Sequence, residues 1–415
     1  MFFRNITNKF YVNILPSILI VYFVAIDLIN GYLQNLLDLH TPIGIISRGI
    51  ILLITIHFLF KNKQSDVVKL FLFILLIYIL IIPFWFLNNQ GFVLSIELEM
   101  LFKFLYFFSI FSYFYSYRHF FSIKTLLSKF VLSAFLIAIT NIFCFLFGIG
   151  VKTYGDSFGF GIKSFYADGN SLSLYMILVN CLSIWYAFYS SFKMIFVSII
   201  ISVGTILVGT RAAFIGVVVS WSSILLYLML YKDPFICISK KTRFFMGFSI
   251  GGMMGYGLYL AYLFISRYDY YTLERFSIDA VIVPREKLIS FAKQLIDEFN
   301  FREFLFGKSY SGAINAVGYL SNMTVSSKSI EADFYDTILS FGWIFGGLMI
   351  ILQLLIFKGL FMSFIRNKSS LSFSLLLVGC LWIGASYMAG HGFNNTMLAP
   401  LLSVCYVINC KLSNI

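Results

Sequence analysis

Runs of about twenty apolar residues recur along the whole chain, separated by short polar segments that carry lysine and arginine. A helix of that length crosses the hydrocarbon core of a bilayer, and only helices and closed barrels satisfy their own backbone groups there. Composition points the same way. Of 415 residues, 60% are hydrophobic and 12% are charged, against roughly 25% charged in a soluble domain. The expected fold class is an all-α integral membrane protein with about 12 transmembrane helices and one long structured outer loop. The spans are expected at 10–30, 42–60, 68–87, 98–117, 130–149, 170–189, 193–209, 211–231, 244–266, 337–357, 371–389 and 393–410. Residues 1–266 then carry helices 1–9, residues 267–336 form the loop, and residues 337–415 carry helices 10–12. The first span reads as a retained anchor rather than a cleaved leader.

Charge chooses the orientation. Loops on the side of both termini hold 17 of the 30 basic residues and two of the 18 acids, Asp66 and Asp233. The remainder of the chain holds 13 basic and 16 acidic residues. Short cytoplasmic loops are the lysine- and arginine-rich ones, so both termini are expected inside. The same bias explains the net charge of +12 without nucleic acid. Six cysteines, Cys144, Cys181, Cys237, Cys380, Cys405 and Cys410, lie mostly in apolar runs and read as small buried residues. They form no metal-ligand spacing and no disulfide framework. Phosphate-binding glycine loops are absent as well, so no metal and no cofactor is expected.

The long outer loop does not read as disordered. From Pro284 onward, Leu288, Phe291, Ala292, Leu295, Ile296 and Phe299 recur at helical spacing, giving an amphipathic helix expected to lie on the membrane surface. Phe304 to Gly312 reads as a tight, glycine-punctuated turn. Ionisable groups in or beside spans are functional suspects. Arg211 stands at the outer junction of two spans in Gly209-Thr210-Arg211-Ala212, where a guanidinium fork suits phosphate or carboxylate; the plainer alternative is an arginine reaching to headgroups. Among the loop arginines, Arg275, Arg285 and Arg302 are candidates for holding a lipid-linked phosphate. The loop ends in Ser329-Ile330-Glu331-Ala332-Asp333-Phe334-Tyr335-Asp336. Ser329 as N-cap with acids in the first turn accounts for much of that pattern. The functional alternative is a general base at a cavity mouth, with Asp333 and Asp336 on one helix face and Glu331 on another. His391, in Gly390-His391-Gly392, reads first as structural and second as substrate-binding. Asp27 and Arg48 are placed to pair, and Glu97, Glu99 and Lys103 form a local charged group.

Three segments together resemble the bacterial O-antigen polymerase and ligase superfamily. Leu207 to Gly216 is similar to that family's Gly/Ser-Ser/Thr-Arg junction between central spans; Glu331 to Gly346 is similar to the segment closing its long periplasmic loop; Tyr166-Ala167-Asp168-Gly169-Asn170 leads into a span. The motifs cover about forty residues, and the layout covers most of the chain. Where the ligases carry a histidine, eleven positions before Gly342, this chain has Glu331, which looks like a Wzy-type polymerase. The resemblance implies a glycosyltransferase of the inner membrane whose active site faces the periplasm. It would extend O-antigen, a lipopolysaccharide component, from repeat units on undecaprenyl pyrophosphate. Glu331, Asp333 and Asp336 would be catalytic; Arg211, Arg275, Arg285, Arg302, His391 and Asn170 would bind substrate. The implied partners are undecaprenyl-pyrophosphate-linked oligosaccharide, membrane lipid and a chain-length regulator protein. A ligase or a repeat-unit flippase shares the layout, although no internal repeat supports a carrier.

Reporter fusions check the orientation. Alkaline phosphatase is expected to be active when fused at Lys308 and inactive at Lys240; the reverse result inverts the topology.

Overall fold

The computed structural model describes residues 14–39, 43–61, 65–88, 91–153, 161–166, 168–191, 193–231, 251–252, 255, 278–320, 332–390, 392 and 395–412. The ninth expected span, 244–266, lies almost wholly outside these residues. Every regular element among them is helical, apart from an isolated antiparallel bridge between Lys152 and Ile162. Six helices are long and apolar enough to cross a membrane, and four shorter ones are apolar.

In chain order, α1 starts at Leu15–Ser17, passes a π-helical turn at Ile18–Tyr22 and continues as Phe23–Leu36. It is followed by α2 (Ile43–Lys61), α3 (Ser65–Asn88), α4 (Leu94–Ser116), α5 (Ile123–Phe147), α6 (Gly169–Ser190), α7 (Lys193–Leu207) and α8 (Arg211–Leu230). The loop region contributes α9 (Ile278–Asp297), α10 (Phe301–Phe306) and α11 (Tyr310–Leu320). Then come α12 (Asp333–Phe341), a π-helical turn at Gly342–Gly346, α13 (Gly347–Asn367), α14 (Ser370–Ala389) and α15 (Leu398–Leu412).

Helix α6 is the axis of the bundle. It packs against α5, α7, α8 and α14 and is buried along nearly all of its length. Close crossings explain which helices touch. Gly204 of α7 meets Ala138 of α5, where an added Cβ would come within 2.4 Å of it, and Gly216 of α8 meets Ile177 of α6. Small residues let helix backbones approach where lipid supplies no hydrophobic drive between them. Polar side chains then fasten the contact. Ser202 Oγ donates to Asn180 Oδ1 at 2.9 Å and accepts from Trp221 Nε1 at 2.8 Å, joining α6, α7 and α8. Asp27 and Arg48 pair as expected, with Nη2 donating to both carboxylate oxygens at 2.7 and 2.6 Å. Of the cysteines described, Cys144, Cys181 and Cys405 are buried and all are free thiols, but Cys380 is exposed on the surface of α14; Cys237 lies outside the described residues.

Several expectations need correction. Helix α9 begins at Ile278, six residues before Pro284, so the proline sits inside the helix rather than opening it. Much of its apolar face packs on protein: Ala292 is fully buried, and the partly buried Leu288, Leu295, Ile296 and Phe299 pack on Ala313, Val317, Ala332 and Leu339 of α11 and the α12 region. The amphipathic pattern is satisfied by protein. The expected turn from Phe304 to Gly312 is the end of α10, a three-residue corner and the start of α11. The expected cap Ser329 lies outside the described residues; the N-cap residue of α12 is the extended Ala332, which supplies no side-chain bond. The expected span 337–357 is not one straight helix. Gly342, at φ +65°, ends α12, and the chain restarts through the π-helical turn.

That break is where the loop region grips the bundle. Gly307, at φ +71°, and Gly342 cross with their backbones touching, and Lys308 N donates to Leu339 O at 2.8 Å. A Cβ at either glycine would lie 2.5 Å from backbone atoms around the other. Positive φ and steric closure both demand glycine here. Alanine at Gly342 or Gly307 is therefore expected to cost about 1–3 kcal/mol or to prevent folding. Gly347→Ala, where a Cβ would meet nothing within 4 Å, is expected to be neutral or stabilising by a few tenths of a kcal/mol. Thermal unfolding in detergent separates the two cases; equal midpoints would refute the crossing.

Candidate functional site

The N-termini of α6 and α8 are built by their own caps. Asp168 accepts from Asn170 N and Ser171 N at 3.0 and 3.1 Å. Thr210 accepts from Ala213 N at 3.1 Å, and its hydroxyl also meets that of Ser173. The preceding loop is stitched over this point: Thr153 Oγ1 donates to Val208 O at 2.6 Å and Ile162 N to Leu207 O at 2.8 Å. Arg211 thus occupies the first position of α8, half-buried. A cation there opposes the helix dipole by about 0.3–1 kcal/mol. Helix stability therefore does not explain that placement.

Asp333 occupies the first position of α12, where the dipole favours its charge. It is buried, and Oδ2 accepts from Gly392 N at 2.7 Å. Gly392 O accepts from Trp382 Nε1 of α14 at 3.1 Å. A Cβ on Gly392 would fall 1.7 Å from Ser386 Oγ and 3.0 Å from Asp333 Oδ2, so any larger residue there must displace the Ser386 side chain. Three residues on, Asn395 Nδ2 donates to Ser171 O at 3.3 Å. Asp333 thus meets Gly392, and Asn395, three residues on, reaches the start of α6, which Ser173 ties to Thr210 beside Arg211.

A second group of acids adjoins α12. Glu97 is fully buried, and its carboxylate accepts from Tyr310 N at 3.2 Å, Ser311 N at 2.8 Å and Ser311 Oγ at 2.8 Å. Instead of joining the pair that Glu99 and Lys103 make at 2.8 Å, it caps α11 from another helix. Burial pushes the Tyr310 phenol up, and the carboxylates of Asp336, Asp333, Glu99 and Glu97 push it further. Tyr310 stays protonated and is a hydrogen-bond donor amid acids. Asp336 is half-buried on the same side of α12 as Asp333.

The remaining candidates are dispersed or undescribed. Asn170 lies in the first turn of α6, within the connected group. Arg302 is exposed on α10, and none of its described contacts reaches Asp333 or Arg211. Arg285 is placed only by its position in α9. Arg275, Glu331 and His391 lie outside the described residues. Helix α12 is described from Asp333 onward, so the expected angle between Glu331 and the aspartates falls outside the described residues. Sequence reasoning missed Glu97 as the clamp of α11 and Asn395 as a linker. Glu97 carried a signal, a charge at the head of an apolar run, but its partner lies 213 residues away.

The end of the bundle so assembled offers a guanidinium, carboxylates in two environments and a protonated phenol, a set able to hold an anionic group and accept a proton. No protein-family model matches the chain, and no curated protein matches it.

The Asp333 contact generates a test. Asp333→Ala leaves the Gly392 N–H buried without its acceptor and is expected to lower stability by about 1–3 kcal/mol. Asp333→Asn keeps an oxygen acceptor and should recover most of the loss. Unfolding midpoints of the purified variants check this, and an alanine variant as stable as the parent would deny the contact its structural role.

Proposed function

We propose that this chain is a membrane glycosyltransferase that polymerises lipid-linked repeat units of a surface polysaccharide of the O-antigen type. In this reading it crosses the bacterial inner membrane twelve times, counting the shorter apolar helices, α4 and the stretch 244–266, with both termini in the cytoplasm. Its active site faces the periplasm. The observation that carries the proposal is the convergence of three segments far apart in sequence. The Tyr166–Asn170 segment, the Thr210-Arg211 junction and the Asp333 helix are joined through Asn395, Gly392 and Ser173 at one end of the bundle. Those are the segments that resemble the polymerases.

The chemistry suits the residues. The donor is a glycan on undecaprenyl pyrophosphate and the acceptor is a repeat unit on the same carrier. An acceptor hydroxyl oxygen bonds to the donor's anomeric carbon as the bond from that carbon to the pyrophosphate oxygen breaks. The hydroxyl proton passes to a carboxylate, and undecaprenyl pyrophosphate leaves with the bonding electrons. Arg211 stabilises the charge that develops on the leaving group. Asp333 has one oxygen committed to Gly392 and is a positioning residue. Asp336 and Glu331 are the proton acceptors, with Glu331 the first choice because the ligases place a histidine there.

Deleting the gene and complementing it with variants tests the reading by glycan banding. Loss of the protein is expected to leave single-unit glycans; lipid-linked polymer that fails to reach its final acceptor would indicate a ligase instead. Glu331→Gln is expected to abolish polymer at normal protein level. Arg211→Lys keeps charge but loses the fork and is expected to impair chain growth strongly. Full-length glycan from Arg211→Ala would reduce Arg211 to a headgroup anchor.

A further inference from the structure

Much of the apolar face of α9 packs on protein. Four large apolar side chains stand out around α10 and the π-helical turn: Phe301 is 77% exposed, Phe304 47%, Trp343 44% and Ile344 43%. The Phe304 and Trp343 rings lie 6.1 Å apart, so the two segments form one patch. Such a cluster facing water is unfavourable. The patch is also continuous with the outward face of a spanning helix. From Ile344, exposed apolar residues recur at Ile351, Leu355 and Met362 of α13, in steps of seven, four and seven. That stripe runs about 27 Å at 1.5 Å per residue, close to the thickness of a hydrocarbon core. Trp343 and Phe304 therefore sit at one end of a lipid-facing stripe, the level at which aromatic residues collect in membrane proteins.

Arg302 follows Phe301 on α10, about 100° around the helix from it, and is exposed. Its neighbour Glu303 is engaged with Lys308 and with the Asn300 backbone N–H, which holds α10 rigid in its capping box. The Gly307–Gly342 crossing fixes α10 against the head of α13. We propose that α10 is a membrane foot: Phe301 and Phe304 enter the interfacial layer of the lipid beside α13, and Arg302 binds a phospholipid headgroup phosphate. The foot sets the height of α9, α11 and α12 above the bilayer. It depends on the spanning character of α13 and not on glycosyl transfer.

Phe301→Trp places a reporter in the foot. In phosphatidylcholine vesicles brominated near the headgroup end of the acyl chains, its added emission over the parent protein is expected to be quenched by bromolipid and shielded from aqueous iodide. Quenching by iodide and not by bromolipid overturns the proposal. Shielding from both overturns it in favour of a protein cover, such as a second copy. Phe304→Trp repeats the measurement if the first variant does not yield folded protein by gel filtration. Introducing Arg302→Gln into the reporter protein is expected to raise its iodide quenching at least twofold, whereas adding inorganic phosphate to the reporter protein should change nothing. No effect of Arg302→Gln, or loss of shielding in free phosphate, overturns the headgroup contact.

Discussion

One fully buried carboxylate ties the loop region of this protein to the helix bundle. Glu97 heads α4, inside the bundle, yet its oxygens cap α11, a helix of the loop region. A carboxylate taken out of water is tolerable only if its lone pairs are used, and three donors use them. The aromatic rings of Tyr78, Trp85, Phe104, Phe341 and Phe345 then close around the junction, and Trp85 Nε1 donates to Phe306 O at 2.9 Å. Asn315 Nδ2 donates to Gly91 O at 3.0 Å on the far side of the same contact. With α11 fixed, α9 has a surface on which to bury its apolar face, and α12 is held where Asp333 reaches Gly392. The placement of the acids of α12 thus follows from a contact made by another acid, the cap that Glu97 places on α11.

The spanning helices were legible because length and hydropathy are local properties. The runs at 130–149, 170–189 and 211–231 correspond to α5, α6 and α8, and the pairing of Asp27 with Arg48 followed from two charges that each needed a partner. What escaped was set by contacts distant in sequence. An amphipathic face announces that something apolar covers it, without saying whether lipid or protein does; for α9 the cover is α11 and the α12 region. The end of α12 at Gly342 was hidden within an apolar run because its cause is the backbone of Gly307, 35 residues earlier. Asn395 looked like an ordinary loop residue until its amide was seen to hold Ser171 O.

The two aspartates of α12 illustrate how one helix turn divides labour. Asp333 and Asp336 share a face and a field, both acting on Tyr310. Asp333 is buried with an oxygen committed to the Gly392 amide, whereas Asp336 is half-buried. In the proposed reading, Asp333 is therefore the positioning residue and the more exposed Asp336 is, with Glu331, a proton acceptor. A base of this kind also requires a cation for the opposite charge. Arg211, kept at a helix start where the dipole opposes it, is joined toward Asp333 by contacts of Ser173, Ser171 and Asn395. Two of these contacts, Ser173 with Thr210 and Asn395 with Ser171, lie at helix ends packed on α6, which holds those ends fixed. The catalytic reading requires that rigidity, since proximity contributes only when both groups are held before the substrate arrives.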